Sequence, residues 1–131
     1  MPIVATTRVW TTGEVQEYLW GYVCLNLEQM RVGAVTATLY KSHVRYQAEP
    51  LGSEIWQSAK ETYDLGFGDC EDLVAIRVAE YIHGGMPAAM FGRPGVGPYI
   101  KDVRPGLRHC LVRLPNGALE CPSRAMGMGR V

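Results

Sequence analysis

The sequence predicts a single domain of the α+β class that spans residues 1–131. A chain of 131 residues is long enough to bury one hydrophobic core. Apolar residues in the first part of the chain recur at the spacing of amphipathic helices. Most of the 15 glycines and 8 prolines lie from residue 84 onwards, which favours loops and short strands there. We therefore expect helices first and a small antiparallel sheet afterwards.

The composition is that of a globular protein without a strong charge. Hydrophobic residues make up 47% and charged residues 20% of the chain, which excludes a disordered tail, a collagen-like repeat and a coiled coil. Thirteen basic residues balance thirteen acidic ones, so the formal net charge is zero. Because binding to the nucleic-acid backbone usually needs an excess of positive charge, nucleic acid is not an expected partner.

The cysteines favour an intracellular protein with free thiols. Cys24, Cys70, Cys110 and Cys121 are widely and irregularly spaced, without the CxxC pairs of zinc ribbons or thioredoxin-type proteins. The first ten residues lack the basic start and apolar core of a secretory signal, so reduced thiols in the cytoplasm are expected. No apolar stretch approaches the roughly 20 residues of a membrane-spanning helix, and no membrane partner is predicted.

The first predicted element is an amphipathic helix over about residues 12–31. Thr11 and Glu14 fit a capping box, and the apolar stripe that follows ends near Arg31 and Gly33. After this helix, as far as Pro50, the pattern indicates a loop with short extended pieces.

A second helix is predicted to begin after Ser53, which is a suitable N-cap residue. It runs through Trp56 and Tyr63 and stops at Gly66, because glycine commonly ends a helix. This helix opens the core region of the domain, about residues 53–123, which carries the most informative motif.

That motif is the segment GFGDCEDLVAIRVAEYIHGG, residues 66–85, which predicts a central helix. Asp69 is a suitable N-cap, so Cys70 is the first helical residue, and the apolar run after it is typical of a helix buried on more than one side. A thiol there meets the positive end of the helix dipole, which lowers its pKa. The carboxylates of Asp69, Glu71 and Asp72 act in the opposite direction, so a thiolate would need a positively charged imidazole beside it.

A β-hairpin is predicted towards the C-terminal end, where RHCLVRL alternates and ALEC returns after a PNG turn. Pro115 suits the first corner of a type I turn and Gly117 suits the left-handed position after it, which pairs Leu114 with Ala118. His109 lies on the first strand of this hairpin. We expect the small antiparallel sheet to contain three strands, near residues 87–92, 107–114 and 118–122.

These motifs resemble the transglutaminase-like branch of the papain-like cysteine superfamily. The resemblance rests on GDCED at the start of a central helix, a later strand with His109 and a return strand that ends in ECPSR. With TLYKSHVRY and ECPSRAMGM, the chain is similar, roughly from residue 38 to 128, to short single-domain members encoded in phage and prophage structural-gene regions. The resemblance implies a papain-like fold in which the Cys70 helix packs on the sheet. It also implies a triad of Cys70 as nucleophile, His109 as general base and an acidic residue on the next strand.

The third member of the triad is where this sequence departs from the family pattern. The family commonly has an acidic residue directly before a proline, whereas here Cys121 precedes Pro122 and Glu120 stands one residue earlier. The expected hairpin register turns Cys121 to the His109 side of the strand and Glu120 to the opposite face. Glu120 is the third catalytic candidate if a bulge shifts the register by one residue. Otherwise Cys121 or a backbone carbonyl orients the imidazole.

Three functions stay open on the sequence alone. The first is thiol-dependent acyl transfer, or amide or peptide hydrolysis, by Cys70 and His109, with a peptide or amide substrate and no cofactor. The second is a non-catalytic structural or interaction component of a phage particle, with other phage structural proteins as partners and the virion rather than the cytoplasm as its location. The third is a metal site formed by Cys70, His109 and Cys121, which are ligand types that zinc accepts.

Overall fold

The computed structural model describes residues 3–5, 11–48, 54–104 and 107–128, and these residues adopt an α+β architecture. The helices are α1 (Thr12–Arg31), α2 (Ala59–Leu65), α3 (Cys70–His83) and α4 (Pro122–Ala125). The strands are β1 (Ile3–Ala5), β2 (Arg45–Tyr46), β3 (Glu54–Trp56), β4 (Phe67–Gly68), β5 (Gly97–Arg104), β6 (Leu107–Arg113) and β7 (Leu119–Glu120). A short 3-10 turn covers Leu39–Lys41.

The described strands form three small sheets. β5, β6 and β7 make an antiparallel sheet in that order, with β6 in the centre. β1 pairs with β3 in the antiparallel sense, and β2 pairs with β4 in the parallel sense. The second pairing sets Tyr46 opposite Gly68, which lies two residues before Cys70.

Helix α3 lies in the centre of the core, as its apolar pattern predicts. Val74 and Val78 pack in one cluster with α1 and with Val112 of β6. Leu73 and Ile76 pack on another side, in a second cluster with residues of the 3-10 turn and α2. Each fully buried aliphatic side chain stabilises the fold by about 1.5–3 kcal/mol. Packing on more than one side therefore fixes the first residue of α3 relative to the β5–β6–β7 sheet.

Helix α1 confirms the first predicted helix. Thr11 Oγ1 accepts the N–H of Glu14, and Glu14 Oε1 accepts the N–H of Thr11, both at 3.1 Å. The helix ends at Arg31, and Leu19 is among the residues that it buries in the core. Within the described part of the chain, no helix combines the length and the apolar character needed to cross a bilayer.

The predicted start of the second helix is wrong. Residues Glu54–Trp56 form strand β3, and α2 begins after Ser58, while Ser53 lies outside the described residues. Ser58 is the true N-cap: its Oγ accepts the Glu61 N–H at 3.2 Å, and Glu61 Oε1 accepts the Ser58 N–H at 3.1 Å. Trp56 is 1% exposed within the main core cluster. Its burial and this second capping box outweigh the helical pattern that begins earlier.

The strand predicted near residues 87–92 is also wrong, because the first strand of the sheet is β5. Phe91 has a φ of 55°, in the left-handed region that a strand does not use. Pro98 is tolerated in β5 because β5 is an edge strand. Its carbonyl accepts a hydrogen bond of 3.0 Å from the Gln16 side chain of α1.

The β6–β7 hairpin has the predicted three-residue turn and register. The Leu114 N–H donates to the Ala118 carbonyl at 2.9 Å, and Gly117 has the left-handed φ of 88° that this turn requires. The pairing continues to Glu120 and stops there, short of the predicted residue 122. The reason is Pro122, which has no N–H for the ladder and begins α4.

Candidate active site

Cys70 is the first residue of α3, and a capping box fixes its position. Asp69 Oδ1 accepts the N–H groups of Glu71 and Asp72, each at 3.1 Å. Asp72 Oδ2 accepts the Asp69 N–H in return at 3.1 Å. A Cβ at Gly68 would lie 3.1 Å from Asp72 Cβ, so glycine allows this close approach. The GDCED motif thus holds the Cys70 thiol at the positively charged end of the helix.

The Asp72 carboxylate beside Cys70 holds backbone in place. Asp72 is only 2% exposed, and its Oδ1 accepts the N–H of Gln57 at 3.1 Å in addition to the contact with Asp69. The negative charge that the sequence places around Cys70 is therefore partly balanced by backbone donors.

Cys70 lies at the edge of β6 where pairing with β7 has ended. If the hairpin register continued, Cys110 would pair with Pro122, but Pro122 belongs to α4 and has no N–H. The Cys110 N–H hydrogen-bonds the Cys70 sulfur, and so does the neighbouring His109 ring. The open edge of β6 thus brings two consecutive residues to one sulfur, although their side chains belong to opposite faces of the strand.

The contacts of Cys70 favour a thiolate. A hydrogen bond from the Cys110 thiol is the largest effect that lowers the Cys70 pKa. Burial acts in the opposite direction, but the hydrogen bond with His109, the Cys110 N–H and the imidazole charge lower the pKa further. The Cys70 pKa therefore lies well below the ordinary thiol value of 9.0.

His109 carries the matching positive charge. Its hydrogen bond with Cys70 is the largest cause of a raised pKa, which burial opposes and the contact with Cys121 reinforces. The result is a His109 pKa of about 9, against an ordinary value of 6.5. The two shifts together favour a Cys70 thiolate beside a His109 imidazolium, which is the charge state of an activated nucleophile.

Cys110 keeps its proton beside this pair. It is 1% exposed, and the contact with Cys70, followed by burial, raises its pKa far above the ordinary range. It therefore acts as an S–H donor towards Cys70 and not as a second thiolate. Its role here is not evident from the sequence, because alternation along a strand turns its side chain away from the face of His109.

Cys121 lies at the position where an acidic residue was expected before Pro122. Its Sγ is 3.2 Å from Nε2 of His109. The hairpin register predicted this side of the strand for Cys121, and the contact holds one ring nitrogen of the imidazole. A thiol is a weaker acceptor than a carboxylate, so it orients the ring with less charge stabilisation.

Glu120 lies on the opposite face of the hairpin, against α3. Its Oε2 accepts a hydrogen bond from Arg77 Nε at 2.7 Å, and the hydroxyls of Tyr40 and Tyr81 donate to the same carboxylate. The Arg77 guanidinium stacks on both tyrosine rings, 4.4 and 4.2 Å from their centroids. The bulge that would turn Glu120 towards His109 is not present in the described β6–β7 pairing, so Glu120 holds β7 to α3 instead.

Tyr46 also belongs to this site, although it was not among the predicted site residues. Burial is the largest cause of its raised pKa, followed by electrostatic interactions with Cys70, Asp69 and Cys121. Its phenol therefore lies within electrostatic range of both sulfurs. The long-range pairing of β2 with β4 at Gly68 positions it. The available sequence signal was its place at the end of TLYKSHVRY, one of the segments that carry the family resemblance.

The described residues give no support to the metal-site hypothesis for Cys70, His109 and Cys121. Among residues 3–5, 11–48, 54–104 and 107–128, no group of three or more His, Cys, Asp or Glu side chains is arranged to hold a metal ion. The Cys121 sulfur contacts Nε2 of His109, and the Cys70 sulfur accepts hydrogen bonds from Cys110, so these atoms already have partners within the protein.

The site thus consists of Cys70 and His109, the thiols of Cys110 and Cys121, and Tyr46, gathered at one helix N-terminus and one strand edge. The chemistry that this site can carry out is that of a nucleophilic sulfur with a proton donor in contact. Protein-family models, curated proteins and solved structures were each compared with this chain, and none of them matches it.

Proposed function

We propose that this chain is a cysteine enzyme of the transglutaminase-like, papain-like kind that transfers acyl groups or hydrolyses peptide or amide bonds. The observation that carries the proposal is the hydrogen-bonded contact between the Cys70 thiolate and the His109 imidazolium. The packing of α3 against α1 and β6 supports the papain-like fold, in which the nucleophile begins a central helix and the histidine lies on an adjacent strand.

The first half of the reaction forms a thioester. The Cys70 thiolate attacks the carbonyl carbon of the amide, and the carbonyl oxygen takes up the negative charge. When this tetrahedral intermediate collapses, the carbon–nitrogen bond breaks and His109 gives its proton to the leaving amine. The enzyme is then acylated at Cys70, and His109 is a neutral base.

The second half releases the acyl group. His109 takes a proton from water or from an acceptor amine, which attacks the thioester carbon. Collapse of the second intermediate expels the Cys70 thiolate and restores the imidazolium. Water as the acceptor gives hydrolysis, and an amine gives acyl transfer.

The start of α3 supplies stabilisation for the oxyanion. The Asp69 cap engages the N–H groups of Glu71 and Asp72, and we assign the N–H of Cys70 to the developing negative charge. The dipole of a 14-residue helix adds positive potential at the same point.

Cys121 acts as the positioning residue for the imidazole. Because its sulfur holds Nε2 of His109, Nδ1 is the ring nitrogen that exchanges the proton with Cys70.

Thiol labelling tests the proposal. The reduced protein is treated with limiting iodoacetamide near pH 6.5, digested with trypsin and analysed by mass spectrometry. Each cysteine has its own tryptic peptide, namely residues 9–31, 61–77, 109–113 and 114–124. We expect Cys70 to react roughly tenfold faster than the exposed Cys24, because a thiolate persists there.

Two histidine variants provide the control. His109→Ala should abolish the selectivity for Cys70, whereas His83→Ala, at the exposed end of α3, should preserve it. With p-nitrophenyl acetate, the unmodified chain should release an initial burst of one nitrophenolate per molecule and carry the acetyl group on the peptide 61–77. Equal labelling of Cys70 and Cys24 would rule out an activated nucleophile.

The second candidate is a non-catalytic structural or interaction component of a phage particle. The observation that favours it is Cys121 in the place of the family's acidic residue, because a thiol stabilises an imidazolium less than a carboxylate does. This alternative predicts that Cys70→Ser keeps particle assembly and partner binding intact, and that the acetyl ester produces no acylated protein. Loss of assembly after this single-atom change would contradict it.

A further inference from the structure

The Cys70 and Cys110 thiols are in contact, and they differ in both charge and exposure. Cys70 packs against the core cluster that contains Cys110, and the S–H and backbone N–H of Cys110 donate to the Cys70 sulfur. Cys110 is buried, whereas Cys70 is partly accessible at the N-terminal end of α3. A reagent from solvent therefore reaches Cys70 first. When the Cys70 sulfur is modified, the Cys110 thiol is already beside it.

We propose that Cys70 and Cys110 form a reversible disulfide in response to hydrogen peroxide, with Cys70 as the oxidised thiol and Cys110 as the resolving thiol. The inference rests on the proposed function for the reactive Cys70 thiolate, but it needs no acyl substrate. It adds a covalent modification that switches the nucleophile off.

The chemistry balances in two steps. The Cys70 thiolate attacks one peroxide oxygen, the O–O bond breaks, and hydroxide leaves and takes a proton from the His109 imidazolium. The Cys70 sulfur loses two electrons and becomes a sulfenic acid. Cys110 then attacks that sulfur, the S–O bond breaks, and the hydroxyl group leaves with the Cys110 proton as water. Two equivalents of a small thiol reverse the process by thiol–disulfide exchange.

The neighbouring groups select Cys110 over the other thiols. The Cys121 sulfur contacts Nε2 of His109, so its partner is the imidazole and not the Cys70 sulfur. Cys24 is exposed on α1, outside this site. Oxidation of Cys70 also removes the negative charge that holds the Cys110 proton, which frees Cys110 to react.

Peptide mapping after oxidation tests the inference. The reduced protein is treated with a small excess of hydrogen peroxide, remaining thiols are alkylated under denaturing conditions, and the tryptic digest is analysed without reductant. We expect the peptides 61–77 and 109–113 to appear as one cross-linked species. Labelling of Cys70 by iodoacetamide should be lost with oxidation and return fully with dithiothreitol.

Variants and alternative products make the outcome decisive. Cys110→Ala should convert the product into sulfenic and then sulfinic acid on the peptide 61–77, while Cys24→Ala, at an exposed thiol outside this site, should leave the cross-link unchanged. In the wild-type chain, sulfinic acid on Cys70 with Cys110 still free, or a cross-link to the peptide 114–124, would overturn the inference. Parallel iodoacetamide labelling of the reduced chain separates the proposed disulfide from the proposed function. Selective labelling of Cys70 together with a sulfinic product would contradict only the disulfide. Unselective labelling would contradict the proposed function as well.

Discussion

The Nε2 atom of His109 lies 3.2 Å from the Sγ atom of Cys121, at the position where the proposed triad would have an acidic side chain. Because a thiol accepts hydrogen bonds weakly, the charge on the imidazole depends mainly on another group. That group is Cys70, whose hydrogen bond is the largest cause of the raised His109 pKa. The two sulfurs therefore contribute unequally to the charge state of the ring.

Replacing Cys121 with Asp should strengthen the positive charge on His109. A carboxylate at Nε2 stabilises the imidazolium and should raise the His109 pKa above its value of about 9 by about one pH unit or more. NMR titration of the His109 ring proton measures this change. Cys121→Asn is the matched control because it has the same size without the charge. Equal titration of the Asp and Asn variants would contradict the assignment of Cys121 to the orienting position.

Removing the Cys70 sulfur should have the opposite effect on the same titration. In Cys70→Ala, the His109 pKa should fall from about 9 towards the ordinary 6.5, since the largest contribution to its rise is lost. Cys24→Ala, which removes an exposed thiol on α1, should leave the His109 titration unchanged. A His109 pKa that stays near 9 without Cys70 would show that the two side chains are not coupled.

The same pair predicts how stability depends on pH. Because its pKa is raised, His109 contributes to the free energy of unfolding. This contribution is complete below pH 6.5 and is lost as pH rises through about 9. The lowered Cys70 pKa gives a contribution that is complete above 9.0 and is lost as pH falls through the lowered value. Between 6.5 and 9 the two trends offset each other, because folding only moves one proton from Cys70 to His109. The net effect is a loss of stability below 6.5.

Urea unfolding of the wild-type chain and Cys70→Ala measures this effect. The difference between their free energies of unfolding should be level at neutral pH and should shrink below pH 6.5, by at most about 1.4 kcal/mol per pH unit. A difference that stays constant down to pH 5 would mean that no proton moves between the two groups on folding.

Glu120→Gln should weaken the fold without changing Cys70. Burial raises the Glu120 pKa, but hydrogen bonds from Tyr40, Tyr81 and Arg77 outweigh it and lower the pKa overall. The ionised carboxylate therefore stabilises the fold above its unfolded pKa of about 4.3, and this contribution is lost as pH falls through the lowered value. We expect Glu120→Gln to lower the free energy of unfolding at pH 7 by about 1–3 kcal/mol.

The rate of Cys70 labelling separates this structural role from a catalytic one. Glu120→Gln should leave that rate unchanged, because the carboxylate faces α3. Asp102→Asn is the control: Asp102 is 70% exposed and forms a 3.7 Å ion pair with Arg108, so its loss should change neither stability nor labelling appreciably. Slower labelling of Cys70 in a fully stable Glu120→Gln variant would restore Glu120 as the third catalytic residue.

Features determined within a few residues could be predicted from the sequence. The capping boxes at Thr11 and Asp69 and the turn at Gly117 depend on local hydrogen bonds and backbone angles. This turn also fixes the hairpin register, which places Cys121 and Glu120 on opposite faces of the hairpin. The α+β class followed from the same local patterns.

Features that depend on distant segments could not be predicted in this way. Ser53 and Ser58 are both suitable N-cap residues, and the burial of Trp56 against α1 acts together with the Ser58 capping box to decide between them. Tyr46 reaches the site through a strand pairing with no local signal. Cys110 contacts Cys70 because Pro122 ends the β-ladder early, which alternation along an ideal strand does not reveal.

The link between α1 and α2 offers a matched test of burial. Asn26 is 0% exposed, and its Oδ1 accepts the Ala59 N–H at 2.7 Å. One residue further along α2, the Lys60 N–H donates to Gln29 Oε1 at 3.0 Å in an exposed position. Asn26→Ala leaves a buried N–H without a partner and should lower the free energy of unfolding by about 1–3 kcal/mol. At Gln29→Ala water replaces the lost acceptor, so the expected loss is within about 0.5 kcal/mol. Urea unfolding compares the two variants, and equal losses would show that burial does not determine the strength of this link.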